Sequence, residues 1–220
     1  MFKLNLCGNP IRMVKPDNTP SPDPSTEEKI KEAARIVFTS KGYAATRVRD
    51  IATQANINLA LVNYYFRSKE KLFDIIMAET LQKLFNKIKP VINNESTTIT
   101  EKISGIADSY LDLLMEHPEL PLFVASEMRS GSDKLPKMTG NGKLFLESHF
   151  AKQLQGLYAE GKIPFHPINI IMNLLGLIVF PFIGRPLFLK TGILKEDDFR
   201  NIIEERRKLI PLWIVGIINL

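Results

Sequence analysis

The sequence is poor in the residues that form disulfides and metal sites. Its 220 residues include one cysteine, Cys7, and three histidines, His117, His149 and His166, which lie far apart along the chain. One cysteine cannot form an internal disulfide, and it suits a reducing cytoplasm. The histidine spacing matches no zinc site, and no phosphate-binding loop or nucleophile motif is present. We therefore predict a cytoplasmic protein that is not an enzyme and needs no metal ion or cofactor.

The charge of the chain is nearly balanced, so composition alone does not demand a polyanionic partner. Lys and Arg number 29 and Asp and Glu number 24, which gives a net charge of +5. This mild excess permits binding to a polyanion. Hydrophobic residues make up 45% and charged residues 24% of the chain, as in ordinary globular proteins. No segment alternates as a β-strand does, and there is no internal repeat, so we predict an all-α fold.

The first 24 residues are rich in proline and contain no apolar run long enough for a signal peptide. We predict that residues 1–24 form a flexible extended tail. Met13 could serve as the start of the protein as well as Met1, because the predicted fold needs no residue before it.

Helix signals begin at Ser25, which has capping-box spacing with Glu28. Apolar residues follow at helical spacing until Gly42, which fits the left-handed position after a helix end. This pattern predicts a first helix of about four turns.

Two short helices with a tight turn between them come next. Thr46 can cap the first, and Asn58 can cap the second, which is predicted over residues 59–65. Asn56 ends the first short helix, because asparagine tolerates positive φ better than most residues. The arrangement is typical of a helix-turn-helix, in which the second helix enters the major groove of DNA.

The rest of the chain also has helical patterns. Ser68 caps a fourth helix that is predicted to run to Lys89, where Pro90 ends it. Thr98 and Glu101 form a second capping box at the start of the next helix. Further helices are predicted over residues 119–130, 143–160, 167–184 and 197–220, with a loop over 131–142 and with kinks or breaks at Pro181 and Pro211.

A set of residues in the amino-terminal third recurs at fixed spacing in a known family. The set is Ala34, Phe38, Gly42, Tyr43, Thr46, Arg47, Val48, Ile51, Ala52, Ala55, Asn56, Ile57, Tyr65, Phe66, Arg67, Ser68, Lys69, Glu70, Leu72 and Phe73. With it, residues 26–77 resemble the amino-terminal domain of the TetR family of transcriptional regulators. The family usually has glycine in the turn, where this chain has Asn56.

The resemblance implies a homodimeric DNA-binding regulator, usually a repressor that a small molecule releases from its operator. It implies a three-helix DNA-binding domain over residues 25–68 and a larger helical domain for effector binding and dimerisation over residues 69–220. The helix over residues 69–89 would connect the two domains. The sequence does not separate repression from activation, because the outcome depends on where the operator lies relative to the promoter.

DNA contacts are predicted at helix amino termini and on the exposed face of the second short helix. A helix amino terminus with adjacent cations binds phosphate, and asparagine or small apolar groups can read base edges. Burial of Leu59 and a purely capping role for Asn58 are the alternatives for those two residues. The predicted phosphate contacts are Thr46, Arg47, Tyr65 and Lys69, and the predicted base contacts are Asn58, Leu59, Ala60, Asn63 and Tyr64.

The carboxy-terminal part contains two long uncharged segments, Ile168–Gly184 and Leu209–Leu220. The first has 17 residues, the lower limit for a membrane span, so a membrane-associated helical protein with 168–184 as the span is the alternative hypothesis. The other interpretation is a helix that is covered on one face by its own domain and on the other by a second copy of the chain. The family resemblance favours the homodimer, and we predict no membrane contact.

An effector pocket is predicted between the fourth and eighth helices. Met and aromatic side chains at helical spacing could line it, although such side chains are also typical of a plain core. The pattern indicates a lipophilic small molecule and does not identify it. The predicted lining residues are Tyr110, Met115, Phe123, Met128, Phe145 and His149.

Overall fold

The computed structural model describes residues 24–131, 133–140 and 142–218, and within them it contains helices and no strands. The all-α prediction is therefore confirmed. Cys7, Met13 and all of the predicted tail except Pro24 lie outside the described residues. The helices are α1 Pro24–Ala45, α2 Val48–Ala55, α3 Leu59–Phe66, α4 Lys69–Asn93, α5 Ile99–Glu116, α6 Leu120–Ser130, α7 Lys134–Met138, α8 Lys143–Leu146, α9 His149–Ala159, α10 Ile168–Lys190 and α11 Glu196–Ile218.

Several predicted helix boundaries were wrong. The helix α4 passes through Pro90 and ends at Asn93, because Pro90 and Asn86 lie on the exposed side, where water can bind the carbonyl that loses its donor. Pro181 and Pro211 are buried inside α10 and α11, and neither divides its helix. The predicted loop over 131–142 contains the short helix α7.

The predicted helix over residues 143–160 is also divided, into α8 and α9. Ser148 causes the break, because its hydroxyl oxygen accepts a hydrogen bond from the Ala151 N–H at 3.1 Å and so caps a new helix, α9. The same hydroxyl donates to the carbonyl of Phe145 at 2.6 Å. Because Ser148 stands inside a long pattern of apolar residues at helical spacing, the pattern predicted one helix and the capping role of the serine was missed.

The helices α1, α2 and α3 pack around one shared apolar centre. Ile30, Phe38, Ile51 and Val62 are buried there almost completely, together with Phe66 at the end of α3. Each of these residues is on the apolar stripe of its own helix, which fixes the faces that turn inward. As a result the opposite face of α3 is left toward solvent.

The turn between α2 and α3 is a Schellman motif with Asn56 in the left-handed conformation, at φ 53° and ψ 49°. The N–H of Ile57 donates to the carbonyl of Ala52 at 3.0 Å, and the N–H of Asn56 donates to the carbonyl of Thr53 at 3.0 Å. Ile57 then packs against the core. Asparagine therefore supplies the conformation that glycine would supply more freely.

Ion pairs join α1 to α4, and α5 to α11. Lys31 of α1 lies 2.8 Å from Glu79 of α4, and Arg35 of α1 pairs with the same carboxylate. Arg207 of α11 binds two carboxylates of α5, those of Asp108 and Asp112, at 3.1 and 2.7 Å. The carboxylate of Glu204, with those of Asp112 and Asp108, raises the pKa of Arg207. All four ion pairs join helices that already pack together.

The left-handed turn predicts a specific response to substitution. We expect Asn56→Ala to lower the free energy of unfolding by about 1 kcal/mol, because a Cβ without a compensating polar group is disfavoured at positive φ. Asn56→Gly should preserve or slightly raise stability. Urea denaturation followed by circular dichroism measures both. Asn63→Ala, the same change in a helical backbone, is the control, and equal losses at positions 56 and 63 would contradict the interpretation.

Candidate nucleic-acid interface and ligand cavity

The helix α3 has one buried face and one exposed face. Val62 and Phe66 are buried, whereas Ala60, Asn63 and Tyr64 are exposed at a spacing of three and four residues. The Asn58 side chain caps the helix by accepting a hydrogen bond from the Ala60 N–H at 2.9 Å. A rigid helix therefore presents an amide, a phenol and a methyl group outward. These are groups that can contact base edges in a major groove.

Exposed cations lie before and after α3 in the chain. Arg47 and Arg49 are at the amino terminus of α2, and Arg67 and Lys71 are at the turn into α4. None of the four forms an ion pair with any residue that the structure describes. Cations without internal partners beside helix amino termini are well suited to bind phosphate.

Arg67 lies in a strained turn. Its backbone has φ 60° and ψ −37°, and the N–H of Ser68 donates to the carbonyl of Phe66 across it at 2.6 Å. This γ-turn geometry is rare in proteins. The chain thereby passes from α3 into α4 within two residues, and the exposed Arg67 follows Asn63 by one helical turn.

Two of the predicted phosphate contacts, Thr46 and Lys69, have side chains that form hydrogen bonds inside the protein, and their contacts with DNA stay predictions. Thr46 is only 2% exposed, and its hydroxyl donates to the carbonyl of Gly42 at 2.7 Å. The ammonium of Lys69 donates to the carbonyls of Tyr43 and Thr46 at 2.8 and 3.0 Å, and it lies 4.2 Å from the centre of the Tyr43 ring. These side chains hold the junction of α1, α2 and α4 through hydrogen bonds to backbone carbonyls, with Thr46 buried and Lys69 partly buried.

The other predicted DNA contacts differ in their exposure. Arg47 is exposed, and Tyr64 is 44% exposed. Tyr65 is half-buried, and its ring is perpendicular to that of Tyr64. Leu59 is half-buried and packs against the core, which is the alternative that the sequence left open. Asn58 is exposed and also caps α3, so both of its interpretations remain.

Arg67 and Lys71 were not among the predicted contacts, although their positions could have been found from the sequence. Both are basic and belong to the same short segment as Lys69. The choice among the three depends on which ammonium or guanidinium is engaged by backbone carbonyls. That choice needs the position of the α1–α2 junction, which is not encoded locally.

A large apolar space, here called the main cavity, lies between α4, α5, α6, α10 and the described residues of the segment 131–145. Its volume is about 1070 Å³. Three of the six predicted lining residues, Tyr110, Met128 and Phe145, are on its wall. Burial raises the pKa of Tyr110 to about 12, which indicates a medium that disfavours charge.

The other three predicted lining residues lie elsewhere. Phe123 is buried in the core, where its ring packs edge-on against Phe73 with centroids 6.2 Å apart. Met115 packs against the core as well. His149 begins α9, and its backbone N–H donates to the Asn93 side chain at 3.3 Å. Helical spacing alone could not separate the wall of a cavity from the interior of a core.

The helix α10 exposes large apolar side chains. Met172, Phe180 and Leu187 are each 63% exposed, and Leu212 on α11 is 66% exposed. Among the described residues, α10 is the one helix that is long and apolar enough to cross a membrane by length and composition alone. An exposed apolar surface of this kind also marks a protein–protein interface.

Comparison with known proteins shows clear relatives. Residues 30–76 match the family described as bacterial regulatory proteins, tetR family. The chain is 32% identical over 198 residues to a probable HTH-type transcriptional regulator, YttP, of Bacillus subtilis, covering 86% of this chain and 92% of that protein. It is 27% identical over 120 residues to the HTH-type transcriptional repressor KstR2 of Mycolicibacterium smegmatis, covering 54% of this chain and 58% of that protein.

A solved structure has the same fold. It is the transcriptional regulator FadR from Bacillus subtilis in complex with stearoyl-CoA, which superposes with a TM-score of 0.55 at 20% identity. The superposition covers 83% of this chain and 96% of that one. At this identity the likeness establishes the arrangement of helices.

The internal hydrogen bonds of Lys69 predict a loss of stability on substitution. Lys69→Met keeps the aliphatic stem and removes two hydrogen bonds from a charged donor, so we expect unfolding to become easier by about 2 kcal/mol. Lys71→Met, in the exposed neighbour, should change stability by less than about 0.5 kcal/mol. Thermal denaturation of both variants measures this. An unchanged melting temperature for Lys69→Met, together with a weaker salt dependence of DNA binding, would return Lys69 to the phosphate contacts.

Proposed function

This chain belongs to the TetR family of bacterial regulatory proteins, and we propose that it is a dimeric repressor released from its operator by a lipophilic molecule in the main cavity. The family members that it matches are DNA-binding transcriptional regulators, not enzymes. The observation that carries the proposal is the exposed face of α3, with exposed cations in the segments before and after it that form no ion pair with the residues the structure describes. Such a helix is suited to read bases while the cations fix its register on the phosphates.

In this proposal the phosphate contacts are Arg47, Arg67, Lys71 and Tyr65, and the base contacts come from α3. Asn63 is suited to bind adenine through its amide, and the methyl group of Ala60 can contact thymine. Tyr64 and Asn58 complete the proposed base-reading set. The side chains of Thr46 and Lys69 support these groups from inside, since they fix the junction from which α2 and α4 begin.

A homodimer is supported by the apolar side chains that α10 and α11 leave exposed. Met172 and Leu187 on α10, with Leu212, Trp213 and Ile217 on α11, would be removed from water in such an interface. Burial of this surface would favour association by about 25 cal/mol per Å² of apolar area. A two-fold dimer would place its two α3 helices on half-sites about one helical turn of DNA, or a multiple of it, apart.

The helix α6 offers a physical connection between the main cavity and α3. Its residues Leu120, Val124 and Met128 line the cavity, while Phe123 packs edge-on against Phe73 of α4. The centroid of the Phe73 ring in turn lies 4.6 Å from that of the Tyr43 ring, and the Tyr43 carbonyl accepts a hydrogen bond from Lys69. A ligand that prefers one position of α6 would therefore also bias the junction that carries α2 and α4.

Release follows from linkage. A ligand that binds more tightly to the conformation with misplaced α3 helices weakens DNA binding by the ratio of its two affinities. The apolar wall of the main cavity supports a lipophilic ligand. The like-folded FadR structure contains stearoyl-CoA, which supports the view that this arrangement of helices can accommodate a long apolar chain.

Footprinting on DNA that flanks the coding region tests the proposal. We expect a near-palindromic protected site that is lost when a lipophilic effector is added. Arg67→Gln should reduce the slope of log affinity against log salt by about 1.8, because the dimer loses one phosphate contact in each of its two subunits. Lys83→Gln, an exposed lysine of α4 away from α3, is the control. Protection of no DNA at modest ionic strength would reject the function, and an unchanged slope for Arg67→Gln would reject Arg67 as a phosphate-binding residue.

The oligomeric state tests the proposed interface. We expect the purified chain to sediment without detergent at twice the mass of one chain, and Leu212→Glu to sediment as a monomer because it places a charge in the apolar interface. The control is Leu122→Glu on α6, where the native leucine is 59% exposed and outside the proposed interface. A monomeric native chain would refute the dimer, and a requirement for detergent would favour the membrane alternative.

A further inference from the structure

A second space adjoins the main cavity and has a different chemistry. This space, here called the polar cleft, has a volume of about 440 Å³ and lies between α4 and the segment of α8. Phe85 and Thr139 line both spaces, so the two meet at these residues. The Phe85 ring is also perpendicular to that of Phe145, with centroids 6.1 Å apart, on the cavity side.

One wall of the polar cleft is a row of polar side chains on α4. Gln82, Asn86, Lys89 and Asn93 follow one another at intervals of four, three and four residues, so they share one helix face. Gln82 donates to the Asn86 carbonyl oxygen at 3.1 Å, which leaves the Asn86 amide N–H groups directed away from that bond. The row therefore offers amide donors next to an ammonium group.

The polar cleft carries an excess of positive charge. Its charged lining residues are Lys89, Lys143 and Glu147. Lys143 and Glu147 form a loose, exposed pair at 3.8 Å, a kind of pair that contributes little. Lys89 forms no ion pair or side-chain hydrogen bond with the described part of the chain. The Gln82 and Asn93 amides each donate one hydrogen bond within α4, to Asn86 and to the Lys89 carbonyl. An ammonium group beside the amide donors of Asn86 is suited to bind a carboxylate or phosphate oxygen.

The main cavity, in contrast, favours apolar groups over anionic ones. Among its described lining residues the one charged group is Asp133, which is mostly exposed and pairs with Lys137 at 3.6 Å, so it lies at the rim. An anionic group placed deep inside would lose its hydration without gaining a cationic partner. An occupant of both spaces must therefore have an apolar body and a charged end, arranged in that order.

We propose that the effector is a single-chain amphiphile whose alkyl chain fills the main cavity and whose anionic head binds Lys89 and Lys143 in the polar cleft. The proposal rests on the effector function given above and specifies the chemical class of the ligand. The alkyl chain supplies most of the affinity, which rises about fourfold for each methylene group buried. The head supplies discrimination against neutral lipids of the same length.

Calorimetric titration of the full chain tests this directly. The ligands are dodecanoate and dodecyl phosphate, each below its micelle concentration at pH 8, and neutral dodecan-1-ol below its solubility limit, with acetate and inorganic phosphate as heads without a chain. We expect at least one of the two anionic ligands to bind tenfold or more tightly than the alcohol. The preferred anion identifies a carboxylate or a phosphate head. Acetate and inorganic phosphate alone should not bind measurably.

Two variants locate the head. In the double variant Lys89→Gln/Lys143→Gln, the preference for the anion should fall to less than threefold while the alcohol binds as before. Lys83→Gln, another exposed lysine of α4 that lies outside the polar cleft, should keep the native preference. Circular dichroism confirms that each variant is folded.

The possible failures are distinguishable. If the alcohol binds as tightly as the anions and also releases DNA, the anionic head is refuted while the lipophilic effector stands. If the double variant keeps the native preference, the head does not bind in the polar cleft and the proposal fails. If no ligand binds, both this proposal and the lipophilic effector are refuted, whereas DNA footprinting still measures the regulator on its own.

Discussion

The ammonium group of Lys69 holds together the place where the amino-terminal helices meet α4. It binds the carbonyl of Tyr43, near the end of α1, and that of Thr46, just before α2. The position of α3 depends on this junction, because α2 leads into α3 on one side and α4 follows it on the other. A charged donor that satisfies two backbone carbonyls is costly to break, so the junction behaves as one body.

The helix α4 is part of both the Lys69 junction and the main cavity. The helix α4 begins at the Lys69 junction, and further along it contributes Leu81 and Phe85 to the main cavity. The helix α6 contacts α4 between these points through Phe123. Packed aromatic rings transmit displacement well, because a close-packed interior has few voids into which a ring can move.

Polarity divides the carboxy-terminal part in a similarly simple way. Apolar residues line the main cavity, polar residues of α4 line the neighbouring cleft, and apolar residues of α10 and α11 face outward. The helix α10 both walls the cavity and carries exposed apolar side chains, which is why its composition alone resembles a membrane span. A helix that is apolar on every side packs against several neighbouring elements, and the sequence alone does not identify those elements.

Local signals in the sequence were enough to identify the helix-turn-helix and the exposed face of α3. Asn56 forms the turn, and Asn58 and Ser68 cap the helices that follow them. Each of these roles depends on residues only a few positions away in the chain, so sequence spacing predicts it. The same holds for the inward positions Val62 and Phe66, because a helix repeats every 3.6 residues.

Contacts between distant segments were decided by the tertiary structure alone. Lys69, Arg67 and Lys71 are alike in sequence, and the carbonyls that engage Lys69 lie 23 and 26 residues away. The sequence pattern does not distinguish Phe123 from Phe145 either. The packing of α4 places Phe123 in the core and Phe145 on the cavity wall. Periodicity fixes which side of a helix is apolar, but whether that side meets a partner helix, a ligand or a second chain depends on long-range packing.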